Sequence, residues 1–206
     1  MKVDALAYTI LTEPHTLIAG ATGSGKSTLL HTVLKSADDL NYKYGIIDLK
    51  RVSVLPHKKK AFAYATEPNE ALALIDRVID IMETRFREME SSGADETNRP
   101  PLYLVVDESA DLLDTVKESY TKLKRVARLG RAAHVHLILC TQSPSRRVIP
   151  ADLTLNIPCR VALRCESAIE SRQILNRPGA ETLPRYGYAI VKTPAGVDKW
   201  KVNKIE

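Results

Sequence analysis

The sequence has few cysteines and no long apolar run, and these absences exclude several classes of protein. Its three cysteines, Cys140, Cys159 and Cys165, form no CxxC pair and are odd in number. Buried free thiols in strands are therefore a simpler interpretation than a disulfide framework or a zinc site. The apolar runs, such as residues 102–106, are far shorter than the roughly 18 residues that predict a membrane span. The N-terminus also lacks the basic and then apolar layout of a signal peptide, so we expect a cytoplasmic protein without a membrane segment.

The rest of the composition predicts one folded domain over residues 1–206. A chain of 206 residues with 44% apolar content can bury one core, since domains usually contain about 100–200 residues. Residues 1–100 hold 13 Lys and Arg against 14 Asp and Glu, whereas residues 101–206 hold 17 against 11. The basic second half favours a polyanion as partner, although a surplus of this size also occurs in proteins that never bind nucleic acid.

Short apolar runs alternate with amphipathic stretches, which predicts an α/β fold with a mainly parallel sheet flanked by helices. The expected buried strands are residues 16–19, 44–48, 102–106, 135–141 and 160–163. The expected helices cover residues 27–35, a long stripe over 72–89, and residues 119–133, with a surface loop at 91–99. The tail from 186 to 202 alternates around a Pro-Ala-Gly turn and predicts a late β-hairpin.

A Walker A sequence, GATGSGKS, lies between the first predicted strand and the first predicted helix. Its glycines permit positive φ and close approach of backbone N–H groups to phosphates, while the helix N-terminus points positive charge at the same anion. Lys26 is expected to reach the β- and γ-phosphates of ATP, and the Ser27 hydroxyl to bind Mg²⁺. The predicted nucleotide-binding residues are Gly20, Ala21, Thr22, Gly23, Ser24, Gly25, Lys26, Ser27 and Thr28.

Acidic and polar residues follow two later strands. Asp107 and Glu108 directly follow the strand at 102–106. Beside a Walker A loop, Asp107 is expected to hold the Mg²⁺ and Glu108 to orient the attacking water. The acidic pair favours an ATPase over a GTPase, because GTPase switches commonly use Gln for that orientation. Gln142 ends the strand at 135–141 and is a candidate sensor of the γ-phosphate, although an ordinary strand-terminal turn would have the same residues. For His134 and His136 a structural role is a better interpretation than a metal site, and the basic run at 58–60 is interpreted as a solvated turn.

With these motifs the sequence resembles the FtsK/SpoIIIE family of DNA translocases, within the FtsK–HerA group of ring ATPases. The resemblance extends from about residue 14 to residue 202. It is carried, in the family's order, by PHTLIAGATGSGKS (14–27), IDLKRV (47–52), VVDESADLL (105–113), ARLGRAAHVHLILCTQSPS (127–145), NIPCR (156–160) and ESRQIL (170–175). It implies a RecA-like P-loop NTPase that assembles into a homohexameric ring, binds ATP between subunits and pulls double-stranded DNA through its channel.

The resemblance also implies roles for basic residues in the second half of the chain. Arg160 is the expected arginine finger acting on the neighbouring subunit's ATP, with Arg128 and Arg131 as rivals and a surface salt bridge as the ordinary alternative. The expected DNA contacts, each of which is also interpretable as an ordinary solvated residue, are Arg172, Arg185, Lys192 and Lys199.

The sequence departs from the family at two positions and in its extent. Ser109 stands where an aromatic or aliphatic residue is more usual, and Leu49 where Pro is common. The family's membrane region, linker and winged-helix domain have no counterpart, which indicates a minimal motor domain, either a small translocase of a phage or mobile element or an excised domain. Two other functions stay open: an ATPase that moves polypeptides in secretion, and a nucleotide-dependent scaffold that moves nothing.

Overall fold

Helices and strands alternate through residues 3–142 and 149–203, which are the residues that the computed structural model describes. The helices in these ranges are α1 (Ala5–Thr12), α2 (Lys26–Asp39), α3 (Pro68–Ser92), α4 (Ser109–Thr115), α5 (Lys117–Leu129), α6 (Ala151–Thr154) and α7 (Ala168–Leu175). The strands are β1 (His15–Ala19), β2 (Lys43–Ile47), β3 (Ala63–Ala65), β4 (Leu102–Val106), β5 (Val135–Thr141), β6 (Cys159–Ala162), β7 (Tyr188–Thr193) and β8 (Gly196–Lys201). Short 3₁₀ turns occur at Leu55–His57 and Ala180–Thr182.

The strands form one eight-stranded sheet in the order β3-β2-β4-β5-β1-β6-β7-β8. The strands from β3 to β6 are parallel, whereas β7 and β8 join as an antiparallel hairpin. The predicted fold, a mainly parallel sheet with a late hairpin, is confirmed. Strand β1 lies between β5 and β6, so the loops that follow these three strands meet at one edge of the sheet.

Helices cover both faces of the sheet. Leu17 and Ile18 are neighbours in β1, yet Leu17 packs in the cluster that includes α3 and α5, and Ile18 packs in the cluster of α1 and α2. Successive side chains of a strand point to opposite faces. A strand between two helical layers is therefore apolar at every position, which explains the continuous apolar runs of the sequence.

The longest helix, α3, begins and ends where its sequence supplies caps. Glu67 and Glu70 form a reciprocal capping box, and Pro68 occupies the first turn. The helix ends at Gly93, whose φ of 67° is in the left-handed region. The helix therefore extends to Ser92, so its last two residues lie where the sequence predicted the start of a surface loop.

Several details were not predicted from the sequence. Helices α1 and α4 and strand β3 are short elements of eight, seven and three residues, too brief for a clear period. The three thiols are buried, as predicted, but Cys165 lies beyond β6 rather than within a strand. No helix in the described ranges combines the length and the apolarity that crossing a bilayer requires.

Candidate nucleotide site

The loop between β1 and α2 has the conformation of a phosphate cradle. Gly23 and Gly25 have φ of 74° and 99°, which glycine adopts without strain. Gly20 is required for close packing instead, because a Cβ there would lie 2.9 Å from Leu163 Cβ and 2.7 Å from Ser24 Oγ. The loop therefore curls around the N-terminus of α2, which begins at Lys26, as an anion site requires.

Both neighbouring strands hold this loop in place. The Gly20 N–H donates to the Thr141 carbonyl at the end of β5, with a distance of 3.4 Å. The Ala21 N–H donates to the Arg164 carbonyl beyond β6 at 2.8 Å. The first two residues of the cradle are thus tied to the main chain at the ends of both neighbouring strands.

Buried charges lie beside the cradle. Lys26 is 7% exposed and Asp107, which follows β4, is 8% exposed. Burial raises the pKa of Asp107, and the carboxylates of Asp48 and Glu108 raise it further, while a hydrogen bond with Ser53 and the charge of Lys26 lower it. Carboxylates that repel one another in this way are stabilised by a nearby cation.

These donors fit the predicted Mg²⁺. Carboxylate and hydroxyl oxygens are the ligands that Mg²⁺ takes in phosphate sites, and Ser27 is exposed at the first turn of α2. The residues that would hold the ion are Ser27 and Asp107, with the phosphates of the nucleotide completing the shell. Its chemical contribution would be neutralisation of charge on the β- and γ-phosphates.

Asp48 is a residue of this site to which the sequence analysis assigned no role. It follows β2, which pairs with β4 so that Ile47 lies opposite Val106, and this pairing brings Asp48 next to Asp107. Asp48 is 1% exposed and accepts hydrogen bonds from the Ser53 N–H at 3.1 Å and the Tyr64 hydroxyl at 2.7 Å. An acid at the end of a second predicted strand was the signal that could have identified it.

Glu108 and Gln142 belong to one hydrogen-bond network that reaches the cradle. Glu108 accepts the Thr141 hydroxyl at 2.7 Å and the Gln142 N–H at 3.1 Å, and Lys50 Nζ lies 3.4 Å from its other oxygen. The Gln142 side-chain oxygen in turn accepts the Thr22 hydroxyl of the cradle at 2.7 Å. Gln142 therefore links the cradle to Glu108, with its side chain bonded to Thr22 and its backbone N–H bonded to the carboxylate.

The backbone of Glu108 is unusual for a glutamate. Its φ and ψ are 80° and 71°, in the left-handed region that L-residues other than Asn and Asp adopt at a cost. The surrounding bonds compensate for this cost: its N–H donates to the Cys140 carbonyl at 3.2 Å in addition to the side-chain contacts. Strained residues of this kind concentrate at functional sites.

Arg160 is half-buried and bonded to main-chain carbonyls of its own chain. It lies opposite Leu17 in the sheet, two residues before the end of β6, and donates to the carbonyls of Thr154 at 2.7 Å, Ile174 at 3.2 Å and Ile157 at 3.4 Å. Burial lowers the pKa of its guanidinium. As a finger in trans it would have to leave these acceptors, and that role stays a prediction. Its rivals Arg128 and Arg131 are exposed near the start of β5, at the opposite end of the sheet from the cradle.

The four predicted DNA contacts do not lie together. Lys192 and Lys199 share one face of the β7–β8 hairpin, and Lys192 Nζ donates to the Leu175 carbonyl at the end of α7 at 3.3 Å. Arg172 is exposed on α7. Arg185, in contrast, lies beside Gly23 of the cradle.

The cradle opens into a cavity of about 870 Å³. One end is formed by the cradle and the start of α2, and the other by Tyr186, Gly187 and residues 201–203 at the base of the hairpin. This volume is within the range of small-molecule sites. A cavity lined by both the cradle and the aromatic ring of Tyr186 suits a nucleotide.

The sequence model of the FtsK/SpoIIIE family matches residues 3–99 and 88–146, which together are more than half of the chain. The chain belongs to the FtsK/SpoIIIE family. The DNA translocase FtsK of Tropheryma whipplei is 33% identical over 86% of this chain. The chain spans only 28% of the length of that relative.

Two solved structures extend the comparison to the fold. The conjugation coupling protein TcpA of pCW3, in its monomer form with ATPγS, has a TM-score of 0.85 and 25% identity, covering 96% of this chain and 62% of TcpA. The cytoplasmic domain of the type VII secretion ATPase EccC of Thermomonospora curvata has a TM-score of 0.74 and 27% identity, covering 93% of this chain and 25% of EccC. Each of these likenesses extends over more than nine-tenths of this chain.

Proposed function

We propose that this chain hydrolyses ATP to move double-stranded DNA, as one subunit of a homohexameric ring. The observation that carries the proposal is the continuous network from Thr22 of the cradle through Gln142 to Glu108. A scaffold that only binds nucleotide needs no buried carboxylate connected to the γ-phosphate end of its site. The 33% sequence identity to a DNA translocase of the same family supports DNA as the substrate.

Each site residue has a defined task in this reaction. Lys26 and the cradle N–H groups hold the phosphates, and Ser27 and Asp107 hold the Mg²⁺. Glu108 accepts the proton of the water whose oxygen attacks the γ-phosphorus while the bond to the β-phosphate oxygen breaks. Gln142 registers the loss of the γ-phosphate through Thr22, and Arg160 stabilises the transition state in the adjacent subunit.

The DNA interaction is proposed to be electrostatic. The basic second half of the chain supplies Arg172, Lys192 and Lys199 near the hairpin and α7, which would follow phosphates without reading bases. Binding of this kind weakens steeply with added salt because condensed counterions are released. The setting we propose is transfer or packaging of the DNA of a mobile element or phage, in line with the likeness to a conjugation coupling protein.

One experiment tests the ATPase and its substrate together. The ATPase rate is measured with long duplex DNA, with single-stranded DNA and without DNA, and oligomer mass is measured with a non-hydrolysable ATP analogue. We expect duplex DNA to stimulate turnover and the analogue to favour a hexamer. Glu108→Gln should keep nucleotide binding and lose about a hundredfold or more in turnover, and Lys26→Ala should lose both. A rate indifferent to duplex DNA, or normal turnover by Glu108→Gln, would overturn the proposal.

A polypeptide-moving ATPase is the second candidate, because the cytoplasmic domain of a secretion ATPase has the same fold at 27% identity. It predicts stimulation by a substrate peptide and no response to duplex DNA. The same ATPase assay therefore separates the two functions when a peptide arm is added.

A further inference from the structure

Arg185 lies at the phosphate cradle rather than with the other predicted DNA contacts. Among the described residues, the neighbour that a Cβ on Gly23 would meet within 4 Å is Arg185, whose Nη2 would be 3.8 Å away. Gly23 has a φ of 74° and belongs to the turn that presents the cradle N–H groups. The guanidinium thus lies within contact distance of the cradle turn.

Two contacts fix the segment that carries Arg185. Arg164 donates from Nη1 to the Leu183 carbonyl at 3.2 Å, and the Arg164 carbonyl accepts the Ala21 N–H of the cradle at 2.8 Å. Arg164 therefore bonds to both the cradle and the segment before β7, and it fixes their relative position. Leu183 is 3% exposed. It therefore anchors the segment in the core two residues before the exposed Arg185.

The aromatic neighbour of Arg185 orients its side chain. The guanidinium carbon lies 5.3 Å from the centroid of the Tyr186 ring, a cation–π distance. Tyr186 also lines the cavity that the cradle opens into. The ring therefore holds the guanidinium between the cavity lining and Gly23 of the cradle, without using the hydrogen-bond donors of the arginine.

The charge of Arg185 is available to a ligand. In residues 3–142 and 149–203 the arginines that form ion pairs with carboxylates are Arg51, Arg99 and Arg125. Arg185 has no such partner there and is exposed. A guanidinium forms paired hydrogen bonds with phosphate oxygens, and a nucleoside triphosphate carries several of them.

We propose that Arg185 binds the phosphate chain of the nucleoside triphosphate held in the same subunit's cradle, instead of binding the DNA backbone. The inference rests on the proposed nucleotide site and adds a second cation to Lys26. Arg185 lies in the segment between Leu183, which is buried in the core, and the hairpin that carries Lys192 and Lys199.

The test is the affinity for ATPγS, measured by calorimetry without DNA. We expect Arg185→Ala to weaken binding about tenfold, the loss expected for one hydrogen bond between charged groups. Arg185→Lys should recover part of the affinity, because it keeps the charge but not the paired donors. The matched control is Arg177→Ala, an exposed arginine after α7, which should bind ATPγS as the unaltered protein does. Unchanged affinity in Arg185→Ala would overturn the proposal.

Duplex DNA separates this inference from its rival and from the proposed function. If Arg185→Ala binds ATPγS normally but duplex DNA weakly, Arg185 is a DNA contact and the inference is wrong. If the unaltered protein binds ATPγS but does not respond to DNA, the translocase proposal fails while the tenfold loss in Arg185→Ala still supports the inference. If the unaltered protein binds no ATPγS, both fail.

Discussion

Arg160 offers a prediction that separates a structural role from a catalytic one. Its guanidinium donates to three main-chain carbonyls, of Thr154, Ile157 and Ile174. Ile174 belongs to the last turn of α7, where a cation also interacts favourably with the helix dipole. Removing the side chain leaves the Ile157 and Ile174 carbonyls without this donor in a half-buried location, whereas the Thr154 carbonyl keeps the Ile157 N–H at 3.1 Å.

The expected cost of Arg160→Ala is about 2–4 kcal/mol of unfolding free energy. A hydrogen bond from a charged donor contributes about 1.5–3 kcal/mol, but two of the three bonds are long, at 3.2 and 3.4 Å, and water can reach part of the site. Lys192→Ala is the control: it removes one donor from the neighbouring Leu175 carbonyl at 3.3 Å and should cost about 0.5–1 kcal/mol.

The measurement is urea denaturation followed by circular dichroism, with the midpoint lowered and the slope unchanged if only the native state is weakened. An unchanged midpoint for Arg160→Ala would refute the argument from its three carbonyls. The DNA-stimulated ATPase rate, expressed per folded protein at low temperature, then tests the finger. A loss of about a thousandfold supports a finger in trans, whereas full activity leaves Arg160 with a structural role alone.

Three further predictions follow from the site and the core. Gln142→Ala should keep ATPγS affinity but lower turnover, because it removes the contact with Thr22; equal turnover would show that the network transmits nothing. Gly20→Ala should abolish nucleotide binding measured by calorimetry, since its Cβ would lie 2.9 Å from Leu163 Cβ, and normal binding would contradict the close packing. Burial lowers the pKa of His136 to about 4, so the unfolded chain binds a proton at this histidine at higher pH than the folded protein does. The folded state therefore loses stability as pH falls from about 6.5 towards 4. The loss due to His136 should reach about 3 kcal/mol, measured by urea titration at several pH values. His136→Phe should reduce the dependence and leave the part due to His15, whose pKa burial lowers to about 3; an unchanged dependence would contradict the argument.

The local motifs were predictable because their chemistry depends on neighbours in sequence. The Walker A loop needs glycines at fixed spacing before a lysine and a helix, and the sequence places them there. The strand before Asp107 is apolar at every position, which predicts a central strand whose end carries the acid. The same reasoning did not assign Asp48 a role, because its importance depends on β2 pairing with β4.

Contacts between distant residues were not predictable from these patterns. Thr22 and Gln142 are 120 residues apart, and they meet because β1 is placed between β5 and β6. Arg160 and Arg185 were both assigned from a resemblance, yet the tertiary structure directs one into backbone carbonyls and places the other at the cradle.

The sequence by itself determined the cradle, the acidic pair and the family, since each depends on residue types at short spacing. Only the tertiary structure decided which side chains complete the site. Periodicity specifies which faces of helices and strands are buried, but strand order in the sheet decides which residues from distant segments come within hydrogen-bond distance.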